Sequence, residues 1–497
     1  PNMRSFLSLL SLGAVSASLI SEQTTCDVAV VGGGWAGVYF AWRQATSSEV
    51  SVCLFEANSR IGGRTYSVPI DGTDFILDVG AYRFSPDMHL PGDLIMKHFD
   101  LPTECYEPGC PPAYDDFVEP FMFNYTQPLR RIVNETTRLP AGYVTAINAM
   151  VEEMSALPHV TVLTDTPVAD VVVASDKGGE TTLVLGDGTE VTTETTMLNL
   201  PRNKLFDLPS VVGAMTERAR DMLQCVVFDM PESLFQIQTS LEPSSALSKV
   251  YLLYSDAWWI TKLNQTEGTF PAGDSFLPVP TSSGIWINVH WNDGPTMTSL
   301  DENGNLQGFL EIYYDITNET FFSSTPANAA EDPLGVLWAD ESEDAAQKLT
   351  QVHSALLEAI AGIFNDAGVD PSAVDEPEAM VVGAWGRPSE EFPLGNGYTA
   401  PTKVYFAPEM SGNLAAACGV SGLTEDEYRA TALMPFSEET SVYMANNDYV
   451  AQNVYYMFGD WAEESLLMAE RALSLLGVEK PAWLDAAYYE ANVIDRL

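Results

Sequence analysis

Gly32, Gly34 and Gly37 stand in G-x-G-x-x-G spacing, and an acid, Glu56, follows nineteen residues after the last of them. These residue types at this spacing suit a dinucleotide. Gly32 permits a tight turn, Gly34 lets backbone approach a pyrophosphate, and Gly37 lets a helix and a strand pack closely. Glu56 is placed to accept hydrogen bonds from ribose hydroxyls. Gly62-Gly63-Arg64-Thr65 comes next. It offers a second turn near the phosphates and a guanidinium to bind them, which favours FAD over NAD.

The elements that position these residues are legible around them. Val28 to Val31 is an apolar, β-prone run, helix formers extend to Gln44, and Val50 to Phe55 is a second β-prone run ending at Glu56. Strand, glycine turn, helix, strand and acid is the context the fingerprint requires. The helix N-terminus adds unpaired N–H groups and the positive end of its dipole.

The chain of 497 residues is long enough for two or three domains with real cores, and its 46% hydrophobic content is ordinary for a globular protein. Its 23 basic and 69 acidic residues give a net charge of −46, which argues against nucleic acid and anionic membrane surfaces as partners. That charge draws cations, within the roughly 8–10 Å that salt allows. No later apolar run is long enough to span a bilayer. The five histidines are scattered and the six cysteines lack ligand spacing, so no metal site is expected.

Residues 1–17 read as a signal peptide: Arg4, an apolar core from Phe6 to Val15, and Val15-Ser16-Ala17 for cleavage. Sequons begin at Asn124, Asn134, Asn264 and Asn318. Together they point to a secreted or secretory-lumen protein. Cys105 and Cys110 bracket a Pro-rich loop and could bridge; Cys53, within a strand, reads as a buried thiol; Cys26, Cys225 and Cys418 cannot be paired.

The stretch from Cys26 to Thr65 resembles the flavin-containing amine oxidases, the family of monoamine, polyamine and L-amino acid oxidases. The resemblance extends along most of the chain. Asp78-Val79-Gly80 is similar to the family's turn beside the flavin, which implies cofactor contact at Gly80 and Ala81. Gly80-Ala81-Tyr82-Arg83 matches the Gly-x-x-Arg of L-amino acid oxidases, which implies that Arg83 grips a substrate carboxylate. A planar guanidinium can do this bidentately and so orient the α-carbon. Val168 matches a valine whose backbone touches adenine. Lys249, in the strand from Ser248 to Tyr254 before Trp258-Trp259, resembles the lysine that holds a water against flavin N5. Trp385 and Gly395-Asn396-Gly397-Tyr398 resemble a motif whose tyrosine is one wall of an aromatic cage, and Trp461 is the matching second wall. Gly397 stands where some relatives carry a flavin-linked cysteine, which implies noncovalent FAD. Asn447-Asp448 replaces a Gly-Glu whose acid binds the ribityl chain, and Gly459-Asp460 is a rival for that site. Asp460 and Glu464 both replace glycine near the closing helix.

The fold class implied is α/β: a discontinuous Rossmann-like FAD domain (24–70, 139–204 and 435–497) interleaved with a mixed-sheet substrate domain (71–138 and 205–434). Ala345 to Phe364 reads as one amphipathic helix with His353 at its surface. Thr399 to Glu439 reads as a surface insertion. The activity implied is oxidation of an L-amino acid. A neutral amine lies between Tyr398 and Trp461, hydride passes from Cα to flavin N5, and O2 is reduced to H2O2 with help from Lys249. Oxidation of mono- or polyamines is the alternative, which the acidic charge suits. A non-catalytic flavoprotein is another, which Asp460 and Glu464 suit.

Overall fold

A computed structural model describes residues 25–106, 127–174, 179–224, 226–227, 237–238, 247–271, 278–291, 297–301, 303–316, 320–325, 332–385, 404–405, 423–436, 440–449, 451–452 and 462–496. Two seven-stranded sheets organise them.

The first sheet runs in the order Val160–Leu163, Val52–Phe55, Thr25–Val31, Glu190–Leu198, Thr181–Leu185, Val168–Val172, and Val442–Met444 pairs with Glu190–Leu198. Thr25–Val31 is parallel to both its neighbours. Ala29 and Val30 are fully buried at this parallel centre, where the strand reads as an apolar run. The helix Trp35–Ser47 is buried almost all round, packed against Val144–Ser155 and Ala462–Leu475. Its polar residues are paired: the Tyr39 hydroxyl and Arg43 Nε both donate to Glu470 Oε1, at 2.5 and 2.9 Å. Asp187-Gly188 turns the hairpin between Thr181–Leu185 and Glu190–Leu198, with Gly188 at φ +85° donating to the Leu185 carbonyl.

The strand–helix–strand crossover also brings two cysteines together. Cys53 is not a free thiol: it is disulfide-bonded to Cys26 across a Cα–Cα distance of 6.1 Å. Twenty-seven residues separate them in sequence, but the crossover returns the chain beside its first strand. Cys105 is disulfide-bonded as well. Cys110, Cys225 and Cys418 lie outside the described residues.

The second sheet is antiparallel, in the order Thr269–Phe270, Val289–His290, Leu306–Ile316, Leu247–Tyr254, Ala379–Trp385, Leu334–Trp338, with Thr298–Leu300 on Leu306–Ile316. One face packs on Leu349, Val352, Leu356, Ile360 and Phe364. The expected single helix there is two, Glu343–Ala359 and Ala361–Ala367, broken at Ile360. His353 is buried rather than exposed. It shares the Leu349, Val352 and Leu356 stripe at helical spacing, and its Nδ1 lies 3.0 Å from the Tyr254 hydroxyl. The other face packs on Val68, Phe75, Leu77 and Val79 of the hairpin Ser67–Pro69 and Ile76–Asp78, which joins the two sheets.

Residues 423–436 are not a surface insertion. Glu425–Leu433 is a helix opened by a Thr424–Glu427 capping box. It buries Tyr428, Ala432 and Leu433 in the core of the first sheet, together with Leu205, Val211, Met222 and Leu223. Among the described residues no helix is long and apolar enough to cross a membrane.

Candidate active site

Gly32 adopts φ +100°, and a Cβ there would lie 2.2 Å from the Asn199 carbonyl oxygen. At Gly37 a Cβ would lie 2.0 Å from the Gly32 carbonyl oxygen. Both positions therefore require glycine. Gly34 is the N-cap of the first helix and supplies no side-chain cap, so the first-turn N–H groups face outward as a phosphate needs. Gly63, at φ +57°, lies over Gly34, and Gly62 donates to the Gly33 carbonyl at 2.8 Å. The two glycine turns form one cradle, which fits a pyrophosphate.

Glu56 is buried at the end of its strand. Its Oε2 accepts from Gly33 N at 2.7 Å, and its Oε1 accepts from Asn58 N and Nδ2. Thr166 N donates to the Glu56 carbonyl, which sets the segment leading to Val168 beside the acid; Val168 itself is half-buried.

Arg64 and Asp448, two residues assigned separately to the cofactor, are bonded to each other. Arg64 Nη1 donates to Asp448 Oδ1 at 2.6 Å, and Nη2 donates to Asn446 Oδ1 and Asn447 Oδ1. Asp448 is fully buried and also accepts from Arg202 N at 3.0 Å. Asn446 Nδ2 donates to Asn199 Oδ1, and Asn199 Nδ2 donates to the Gly32 carbonyl. A polar chain thus runs from the first glycine turn to the 446–448 segment. Asn447 belongs to the pair compared with Gly-Glu, whereas Asn446, Asn199 and Arg202 carry no signal of their own in the sequence.

The Asp78–Gly80 turn lies between the two sheets. Gly80 and Ala81 donate to the carbonyls of Tyr66 and Arg64, and a Cβ on Gly80 would lie 2.1 Å from the Arg64 carbonyl oxygen. From the other side, side chains of the second sheet take three consecutive carbonyls. Lys249 Nζ donates to Asp78 O and Gly80 O, each at 3.1 Å, Trp385 Nε1 donates to Val79 O at 2.7 Å, and the Tyr251 hydroxyl donates to Asp78 O at 3.3 Å. Gly383 permits this approach, since a Cβ there would lie 2.3 Å from Val79 O. Lys249 is only 1% exposed. Burial raises the Asp78 carboxyl to about 6, although the Ser67 hydroxyl, Tyr143 N–H and the Lys249 and Arg131 charges act to lower it.

Beyond this turn, cations alternate with tyrosines. Lys249 Nζ lies 3.2 Å from the centre of the Tyr82 ring, and Arg83 Cζ lies 4.7 Å from the centres of both Tyr82 and Tyr106. Arg131 Cζ lies 4.5 Å from the centre of Tyr106. Tyr82 meets Tyr106 and Tyr314 edge to face, with ring centres 5.3 and 6.2 Å apart. Tyr82 stands at an unspecified position of the Gly-x-x-Arg motif, and Tyr106 and Arg131 carry no sequence signal.

The closing helix Ala462–Leu475 begins with two acids. Glu463 is buried, with Oε1 bonded to the Tyr488 hydroxyl and Oε2 accepting from Leu90 N at 2.8 Å. Burial pushes its carboxyl up to about 8, so it is mostly neutral at neutral pH. Tyr398, Trp461 and Asp460 lie outside the described residues.

Residues 30–90 match the model of the NAD(P)-binding Rossmann-like domain. Among solved structures the chain aligns with putrescine oxidase bound to putrescine at TM-score 0.53 and 14% identity, over 91% of this chain and 99% of that one. A variant of the same enzyme aligns at TM-score 0.53 and 13% identity, over 92% and 100%. The chain has an amine oxidase-like fold. In sequence it is 32% identical to "FAD-dependent oxidoreductase dpasF" of Apiospora sacchari over 154 residues, 29% of this chain and 30% of that protein. It is 30% identical to an uncharacterized protein of Acanthamoeba polyphaga mimivirus over 117 residues, 23% of this chain and 21% of that one. The matches therefore span less than a third of either relative.

Proposed function

We propose that this protein is an FAD-dependent oxidase of primary amines, and that its substrates are L-amino acids. The observation that carries this reading is the seam at Lys249. A buried ammonium from the second sheet grips the turn that rests on the cofactor cradle, and three cations gather there on tyrosine faces in a chain of net charge −46. A guanidinium at the Gly-x-x-Arg position, Arg83, suits a carboxylate-bearing amine, which it can bind bidentately. The glycine cradle and Glu56 fit the dinucleotide, and Gly397 supports its noncovalent attachment.

FAD held by the glycine cradle and Glu56 would supply the two-electron chemistry, a hydride acceptor for the substrate Cα and a source of electrons for O2, giving H2O2. The chain's own groups do the rest. Arg83 holds the carboxylate and fixes the direction of Cα. On their motif alone, Tyr398 and Trp461 flank a neutral amine, whose lone pair drives imine formation; the imine then hydrolyses to the 2-oxo acid and ammonia. Lys249 keeps a positive charge where O2 takes up electrons. The neutral Glu463 limits the negative charge at the start of the closing helix. Exposed asparagines at two sequons, Asn134 and Asn264, and the disulfides support passage through a secretory route.

Oxidation of amines without a carboxylate is the second reading, favoured by the fold shared with putrescine oxidase and by the acidic surface. Arg83→Met separates the two. Amino acid oxidation predicts a KM raised about a hundredfold for amino acids and unchanged for any amine turned over. Equal kinetics in wild type and variant contradict it.

A further inference from the structure

We propose that Asn58 is a positioning residue for the cofactor. It holds the Glu56 carboxylate so that a single acceptor site, on Oε2, is left for one hydroxyl of the adenosine ribose of FAD. This requires FAD in the glycine cradle and takes nothing from the assignment of Arg83.

Local backbone sets the pair. Glu56 follows the strand Val52–Phe55, and its N donates to the Leu163 carbonyl at 2.8 Å. Thr166 N donates back to the Glu56 carbonyl at 2.9 Å, and Asp165 N donates to the Asn58 carbonyl at 2.9 Å. The segment that leads to Val168 therefore clamps both residues. Asp165 stands at φ +51° in this clamp, a conformation that Asp tolerates. Held in this way, Asn58 turns both of its donors onto one oxygen: its N and Nδ2 lie 2.9 and 2.6 Å from Glu56 Oε1. Glu56 is 5% exposed and Asn58 is half-buried.

A carboxylate offers about four acceptor sites, two on each oxygen. Among the described residues, Asn58 fills both sites on Oε1, and Gly33 N, at 2.7 Å, fills one on Oε2. One site remains. A carboxylate that could turn would offer either oxygen, or both oxygens to two ribose hydroxyls. Fixing Oε1 removes the second mode and pre-sets the first, so little rotamer freedom is lost when the ribose arrives. The bond that Oε2 can still accept is charge-assisted, and so stronger than one between neutral groups. An amide does this without adding a charge beside the acid, as Asp or Lys at position 58 would.

The test compares FAD with its 2′-deoxyadenosine and 3′-deoxyadenosine analogues, each bound to the whole chain stripped of flavin. Kd is read from quenching of flavin fluorescence, and independently from the melting temperature of protein loaded with each flavin. Wild type should bind one analogue at least about tenfold more weakly than FAD and the other about as well as FAD. Asn58→Ala should weaken FAD several-fold while leaving the poorer analogue nearly unchanged, so that the ratio between them approaches one. Asn58→Ser, which keeps a short donor, should restore most of the ratio. If Asn58→Ala weakens FAD and both analogues alike, or changes none of them, Asn58 serves the fold alone and the proposal is overturned. If both analogues bind about tenfold more weakly and Glu56→Gln abolishes both losses, Glu56 takes two hydroxyls and the single-site claim is overturned. If Glu56→Gln keeps the wild-type ratio, Glu56 does not read the ribose and the proposal falls. If Asn58→Ala does not fold, the near-isosteric Asn58→Asp replaces it, with the same loss of ratio expected and an unchanged ratio overturning the proposal.

Discussion

Lys249 Nζ lies 3.2 Å from the centre of the Tyr82 ring, and the same ammonium donates to the carbonyls of Asp78 and Gly80. A lysine that begins an apolar strand commonly reaches outward to water. This one is buried because the Asp78–Gly80 turn offers it two oxygens and Tyr82 a ring face. The contact joins the sheet that carries Lys249 to the turn that rests on the cofactor cradle.

Lys249→Met should therefore act twice. It leaves two buried carbonyls short of a donor, at a cost of about 1–3 kcal/mol in stability. On the role proposed for Lys249, it also removes the positive charge that would assist O2 reduction. Thermal melting reads the first effect. The second is a fall of at least about tenfold in the rate of reoxidation by O2, with KM for the amine little changed. Unaltered reoxidation in stopped flow would show that the ammonium serves the fold alone.

Gly37→Ala tests the cradle. The added Cβ would lie 2.0 Å from the Gly32 carbonyl oxygen, a backbone atom that cannot turn aside. The helix must shift from the strand, costing roughly 1–3 kcal/mol or more and spoiling the phosphate site. The purified variant should be colourless and melt lower than wild type. A yellow variant with wild-type stability would mean that the turn is looser than described.

The Cys26–Cys53 bond closes a stretch of 27 residues around the first helix. Chain entropy assigns such a link about 3.5 kcal/mol. Cys26→Ser with Cys53→Ala should melt several degrees lower, and reductant should lower the wild-type midpoint but not that of the double variant, apart from any effect through other disulfides. Equal midpoints in the absence of reductant would remove the bond from the account of stability.

Glu463 gives stability a pH dependence with a definite sign. Its folded value, about 8, lies above the ordinary glutamate value near 4.3. The unfolded chain therefore releases this proton first as pH rises. The contribution is fully present below the ordinary value and is lost as pH climbs through about 8. Melting temperature should fall across that range, and Glu463→Gln should flatten this part of the fall. An identical profile in the variant would assign the dependence to other groups.

How much of this was legible beforehand follows from what each feature depends on. The cradle was legible because Gly32, Gly34, Gly37 and Glu56 act within one local strand–helix–strand unit whose spacing is fixed by backbone geometry. The pairing of Arg64 with Asp448 was not, because 384 residues separate them and either alone suits an anion or a hydroxyl. His353 was misplaced because a histidine on an amphipathic helix declares no face, whereas its neighbours Leu349, Val352 and Leu356 do. Cys53 was misread because neither strand reveals its partner. Tyr106 and Arg131 are silent in sequence, since ring and guanidinium meet only through the Phe84–Arg130 bridge.

The most direct test of the central claim is a peroxide-coupled oxidase assay on the purified, flavin-loaded protein. The panel is the twenty L-amino acids with tyramine, putrescine and spermidine. The account predicts H2O2 and ammonia in equal amounts from one or more amino acids, and none from putrescine. Peroxide from amines alone would contradict the role given to Arg83. Bound flavin with no peroxide from any of them would contradict the proposed activity itself.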